Sequence, residues 1–164
     1  MENARRDKCN YYLDIAQTVA ERGTCLRRNY GAIIVKNDEI ISTGYVGAPR
    51  GRKNCSDLGK CIRQELKIPR GERYEMCRSV HAEQNAIISA ARADTIDATM
   101  YLVGIERDTK QIVANSCCCS MCKRVVINAG IKEVVIRDTE NDYRVIEVKD
   151  WVENDESLEG VTGY

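Results

Sequence analysis

Apolar positions recur at helical spacing near the start of the chain, where Tyr11, Ile15 and Val19 predict a helix over 11–22 with Gly23 as its stop. The pattern then changes period. A β-branched run at 31–35, a polar Lys36-Asn37-Asp38-Glu39 turn and an apolar return at 40–45 predict a β-hairpin. Gly44, Gly47, Pro49 and Gly51 interrupt regular structure and open a polar, irregular segment that runs to residue 79. Periodicity resumes as a helix at 81–93 and a strand at 99–103, with 111–113 as its hairpin partner. A helix at 119–129 ends at Gly130, and strands at 133–136 and 143–148 follow. From Lys149 onward the chain is acidic and poorly periodic, so 150–164 reads as a short helix or a partly disordered tail. The order α-β-β-α-β-α-β-β fits an α/β fold, a mixed sheet with helices on both faces, in one domain spanning 1–164.

Charge narrows the range of partners. Lysine plus arginine and aspartate plus glutamate each number 25, so no bulk positive field is available to grip a polyanion, and a nucleic-acid substrate is disfavoured. The charge is unevenly spread, however. Residues 50–78 hold nine basic and four acidic side chains, whereas 138–164 hold nine acidic and two basic. Either these are solvated faces of opposite sign, or the basic segment approaches a site for a small anionic substrate. The nine cysteines are an odd number, and Met1-Glu2-Asn3-Ala4-Arg5-Arg6-Asp7 leads into no apolar stretch. No run nears the ~18 apolar residues of a membrane span. These features point to a cytoplasmic protein whose thiols bind metal.

The chemistry concentrates in two short segments. His81 is the single histidine, Glu83 lies two residues on, and Cys119 and Cys122 form a C-x-x-C pair. One imidazole and two thiolates leave one position of a tetrahedral zinc ion open, as in catalytic sites, while structural sites close all four. A nearby carboxylate then handles the protons of a water that the metal activates. Both segments start predicted helices, where the dipole and free N–H groups favour thiolate over thiol. A redox pair, or half of a closed structural zinc site, would also use C-x-x-C, but neither needs Glu83.

His81-Ala82-Glu83-Gln84-Asn85-Ala86-Ile87 with Cys119-x-x-Cys122-Lys123 resembles the zinc-dependent cytidine deaminase superfamily. Gly31-Ala32-Ile33-Ile34-Val35 and Gly44-Tyr45-x-Gly47-x-Pro49-x-Gly51 are similar to its deoxycytidylate (dCMP) deaminase branch, over about residues 25–137. The resemblance implies a three-layer α/β/α cytidine-deaminase-like fold with a mixed five-stranded sheet. It implies hydrolytic deamination of dCMP to dUMP, with His81, Cys119 and Cys122 as zinc ligands and Glu83 as proton shuttle. It also implies that the Ala82 N–H holds the base carbonyl, that the Cys117 carbonyl accepts from the amino group, and that Arg27, Arg28 and Asn29 lie near the nucleotide. The position of the family's base-stacking tyrosine falls on Glu140, and Tyr143 is either its substitute or a core residue of the last strand. Val46 stands where the family has an asparagine, and Cys118 where it has a proline. Homo-oligomers from dimer to hexamer and dCTP/dTTP control are further family properties. A deaminase of another cytosine compound or of adenosine in RNA, and a non-catalytic zinc-stabilised module, are the alternatives.

Cys25, Cys55, Cys61 and Cys77 bracket the irregular segment, which has little apolar material to order it. They are either buried small hydrophobes or the ligands of a second, structural zinc, as some dCMP deaminases carry.

Overall fold

The computed structural model describes residues 4–155. Helix α1 (Lys8–Ala20) is capped by the Asp7 side chain, which accepts from the Asn10 N–H at 2.9 Å. It leads into the hairpin β1 (Arg28–Lys36) and β2 (Glu39–Tyr45), joined by a tight turn in which Asn37 and Asp38 adopt positive φ. The irregular stretch contains two single-turn helices, α2 (Cys55–Leu58) and α3 (Ile62–Glu65), and a 3₁₀ turn at Tyr74–Met76. Then come α4 (Ala82–Ile88), α5 (Arg92–Thr95), β3 (Thr99–Glu106), α6 (Ser120–Asn128), β4 (Glu133–Arg137), β5 (Tyr143–Glu147) and α7 (Val148–Glu153).

The five strands form one mixed sheet in the order β2-β1-β3-β4-β5. Only β3 and β4 run parallel, and α6 makes the crossover between them. Alternation along the central strands divides the core in two. Ala32, Ile34, Met100, Leu102, Val134 and Ile136 face α4, α6 and α7. Ile33, Val35, Tyr101, Val103, Ile105 and Val135 face α1. The architecture is therefore the expected α/β/α arrangement around five mixed strands.

Three local expectations change. The helix expected over 81–93 ends at Ile88 and restarts at Arg92, because Thr95 Oγ1 donates to Ala129 O (2.7 Å) and draws the second turn toward the end of α6. Residues 111–113 form no strand. Ile112 makes a single antiparallel bridge to Ile105, on the stretch of β3 beyond the residues 99–102 that pair with β4. The acidic tail begins as α7, while 156–164 lie outside the described residues.

Candidate active site

The site forms where the N-termini of α4 and α6 meet over the sheet. Helix α4 is held against β2 by close contact. A Cβ on Gly44 would lie 2.3 Å from Ala86 N and 2.4 Å from Ala82 O, so only glycine permits this approach. Ser42 Oγ donates to Ala86 O (2.7 Å), and Asn85 Nδ2 donates to Tyr45 O (2.8 Å). His81 is the N-cap of α4, and its backbone N–H donates to Gln84 Oε1 at 3.0 Å. Cys119 is the N-cap of α6, with Cys122 one turn in. The loop that delivers Cys119 is clasped from β5: Arg144 Nη2 donates to Ser116 O (2.5 Å), and its Nε donates to Asp138 Oδ2 (2.7 Å).

These restraints place Cys119 Sγ 3.6 Å and Cys122 Sγ 3.3 Å from His81 Nδ1. The three donor atoms all lie within 4.8 Å of one another. Tetrahedral zinc with ordinary Zn–S and Zn–N bond lengths requires an N···S edge of about 3.6 Å. The residues therefore fit the metal in both chemistry and spacing.

The electrostatics suit a metal site before the metal arrives. Burial opposes the His81 charge, but hydrogen bonds with Cys119 and Cys77 and the Glu83 charge outweigh it and push the imidazole up to about 10. The hydrogen bond from Cys122 is the chief cause drawing the Cys119 thiol down to about 4, against burial and with help from His81. Cys122 retains its proton through the same bond and through burial. Glu83 is only 4% exposed; burial raises its carboxyl, His81 opposes that shift, and the Cys118 thiol lies against it.

A cavity of about 370 Å³ opens onto this cluster. Among the expected residues, Arg27, Arg28, Ala82, Glu83, Cys117 and Cys119 line it with His81, as do Cys25 and Cys77 of the second cysteine set. Asn29 does not: it is buried, and its Oδ1 accepts from Cys25 N (2.9 Å) behind the wall. Tyr143 lies on the edge strand β5 beside Cys9 of α1, away from the cavity. Val46 is buried and lines it. Sequence reading missed Tyr30, Arg63 and Tyr74, which also line it. Tyr74 meets His81 edge-on, with centroids 5.5 Å apart at 84°. Tyr30 hides within the pattern of β1, whereas Arg63 and Tyr74 lie in a segment without periodicity.

The other cysteines are near one another but do not close up. Among the described residues, the one compact group of three or more ligand-type side chains is His81, Cys119 and Cys122. Cys55 is buried against Ser79 Oγ (4.0 Å), with Cys77, Cys25 and Cys61 as charge neighbours. Cys61 caps α3, while Cys77 interacts with His81. Cys55 and Cys77 also border a second, larger cleft of about 730 Å³ that contains neither His81 nor Glu83.

Residues 6–138 match the family described as the cytidine and deoxycytidylate deaminase zinc-binding region. The deoxycytidylate deaminase of Mycobacterium phage D29 is 34% identical over 136 residues, covering 80% of this chain and 95% of that protein. The deoxycytidylate deaminase of Schizosaccharomyces pombe is 32% identical over 133 residues, 80% of this chain but 37% of that longer protein. A crystal structure of dCMP deaminase from the cyanophage S-TIM5 in complex with dCMP and dUMP aligns with a TM-score of 0.53. It covers 82% of this chain and 84% of that one at 22% identity, a likeness of fold.

Proposed function

The chain belongs to the cytidine and deoxycytidylate deaminase family, and from that premise we propose that it hydrolyses dCMP to dUMP and ammonia. The carrying observation is the tetrahedral spacing of His81 Nδ1, Cys119 Sγ and Cys122 Sγ beside the buried carboxyl of Glu83. A zinc ion held by these three ligands supplies the Lewis acidity that brings a water's pKa to about 7.

The remaining steps belong to the chain's own groups. Glu83 takes the proton of the attacking water and delivers it to ring nitrogen 3 as the oxygen bonds to ring carbon 4. It then takes the proton of the new C4 hydroxyl and passes it to the amino group, which leaves as ammonia when the C4–N bond breaks and the C4 carbonyl forms. Burial keeps its carboxyl easy to reprotonate, as a shuttle requires. The Ala82 N–H, free at the start of α4, holds the base carbonyl, and the Cys117 carbonyl accepts from the amino group. Arg27 reaches the nucleotide from the cavity wall, and Asn29 fixes the Arg27 loop through its bond to Cys25.

The same reading carries a second, structural zinc on Cys25, Cys55, Cys61 and Cys77, supported by their mutual proximity around the irregular segment. It carries a single deaminase domain acting in the cytoplasm as a homo-oligomer of two to six chains, with dCTP and dTTP as effectors. No helix among the described residues is long and apolar enough to cross a membrane.

Zinc-loaded protein incubated with dCMP, CMP, deoxycytidine and dCTP should release ammonia fastest from dCMP. Silence with all four would overturn the proposal. Metal analysis should find about two zinc per chain, and a value of one removes the structural site.

A further inference from the structure

A histidine that holds a metal usually donates its other ring nitrogen to a carboxylate, carbonyl or water oxygen, which fixes the plane of the ring. Among the described residues no protein oxygen does this for His81. Its ring bonds sulfur only: Nδ1 faces Cys119 and Cys122, and Cys77 is a third sulfur partner. What meets the ring instead is Tyr74, edge-on, with centroids 5.5 Å apart at 84°. An edge-to-face aromatic pair has a preferred angle, so each ring resists rotation of the other.

Tyr74 can orient His81 only if it is itself held, and Arg63 holds it. Arg63 is 5% exposed, and its Cζ stands 4.3 Å from the centre of the Tyr74 ring, a cation–π contact on the face of that ring. The guanidinium is fixed in turn. Its Nη2 donates to the carbonyls of Pro69 (3.2 Å) and Glu72 (2.7 Å), and the Arg63 carbonyl accepts from Ile68 N (2.9 Å). Arg73 adopts a φ of 51° immediately before the 3₁₀ turn that carries Tyr74. A non-glycine residue keeps that conformation only where its surroundings impose it. The Glu75 carboxyl, held below its usual range first by the hydrogen bond from Arg73, also feels the Arg63 charge. A stretch with little apolar material is thus ordered around one arginine, and the ring it fixes ends against a zinc ligand.

We propose that Arg63 and Tyr74 form a cation–π brace that sets the plane of the His81 imidazole, which makes Tyr74 a positioning residue for the metal ligand. The brace rests on the zinc reading above and is independent of which nucleotide is the substrate.

Tyr74 also lines the catalytic cavity, so the test reads the metal without substrate. Chelator competition on zinc-loaded protein gives the affinity, and the ion concerned is the one that Cys122→Ser does not bind. Tyr74→Leu removes the ring and should weaken that ion about 10- to 100-fold, as loss of a partner that orients a ligand does. Tyr74→Phe keeps the ring and should restore wild-type affinity. With cobalt(II) in place of zinc, the visible bands report ligand geometry; they should shift in Tyr74→Leu and not in Tyr74→Phe. Arg63→Met should lose affinity in the same direction, and combining it with Tyr74→Leu should add no further loss, since the arginine acts through the ring. Equal losses in Tyr74→Leu and Tyr74→Phe, no loss in either, or a loss in Tyr74→Leu without a spectral shift overturns the brace, whether or not Arg63→Met folds. Additive losses in the double variant overturn the part given to Arg63. If wild type binds no ion that Cys122→Ser lacks, the zinc reading and the brace fall together.

Discussion

Glu83 is the residue on which the chemistry turns, because its neighbours can hold a metal without it but cannot move a proton. Glu83→Gln keeps the shape and the buried position, so zinc content should stay at the wild-type level. The rate should fall by about 10²–10⁴-fold, the usual contribution of a positioned acid–base group; normal turnover would remove the shuttle role. The ligands make a separate prediction about pH. At neutral pH without metal, His81 is held protonated and Cys122 retains its thiol proton, while Cys119 is already a thiolate. Zinc must displace two protons, so its affinity should rise about 100-fold per pH unit near neutrality. Competition with a chelator between pH 6 and 8 measures this slope. A flat profile would mean that the donors are already deprotonated. These four residues were legible because ligand spacing within one helical turn is a local property. Arg63 was visible only as one arginine in a basic run, since its burial depends on residues 69–74 folding back over it.

At the scale of elements, the close approach of β2 and α4 decides whether His81 and Glu83 meet the C-x-x-C helix. Gly44→Ala puts a methyl into the backbone of α4 at Ala82 and Ala86. Overpacking of this kind costs about 1–3 kcal/mol, and denaturant unfolding should show a loss in that range. Activity should fall further than stability alone explains, because the displaced helix carries the site. A neutral result would show that α4 can shift without cost. Gly31 serves the other face in the same way, where a Cβ would meet the α1 backbone 2.3 Å away at Ala16 O and Ala20 N. The strands and α6 were readable from periodicity because each buries a regular set of positions. The break after Ile88 was not, because alanine and isoleucine favour continuing the helix; it accompanies long-range ties from α5 to the end of α6, Thr95 to Ala129 O and Arg92 to Asn128 O.

Across the whole molecule, one clasp joins the far edge of the sheet to the loop that supplies Cys117–Cys119. Arg144 on β5 bonds Ser116 O and Asp138, and Asp138 also accepts from Asn115 N at 2.8 Å. The hydrogen bond from Arg144, the chief lowering cause, holds the Asp138 carboxyl below its usual range. A depressed carboxylate stabilises the fold fully above its unfolded value of about 4, and that stability is lost as pH falls through the lower folded value. Asp138→Asn should therefore be less stable at neutral pH and show a shallower loss of stability below pH 4, as followed by acid unfolding. An acid limb identical to wild type would leave the clasp without an electrostatic role. By itself the sequence determined the α/β order, the single histidine with its carboxylate, the thiol pair and the family, because each is written in short-range pattern and residue chemistry. Only the tertiary structure decided that Asn29 stands behind the cavity wall, that the strand of Tyr143 lies at the sheet's edge away from the cavity, and that Arg63 is buried in the cavity wall. Those facts depend on which distant segments close over one another, and burial and charge pairing are properties of that closure.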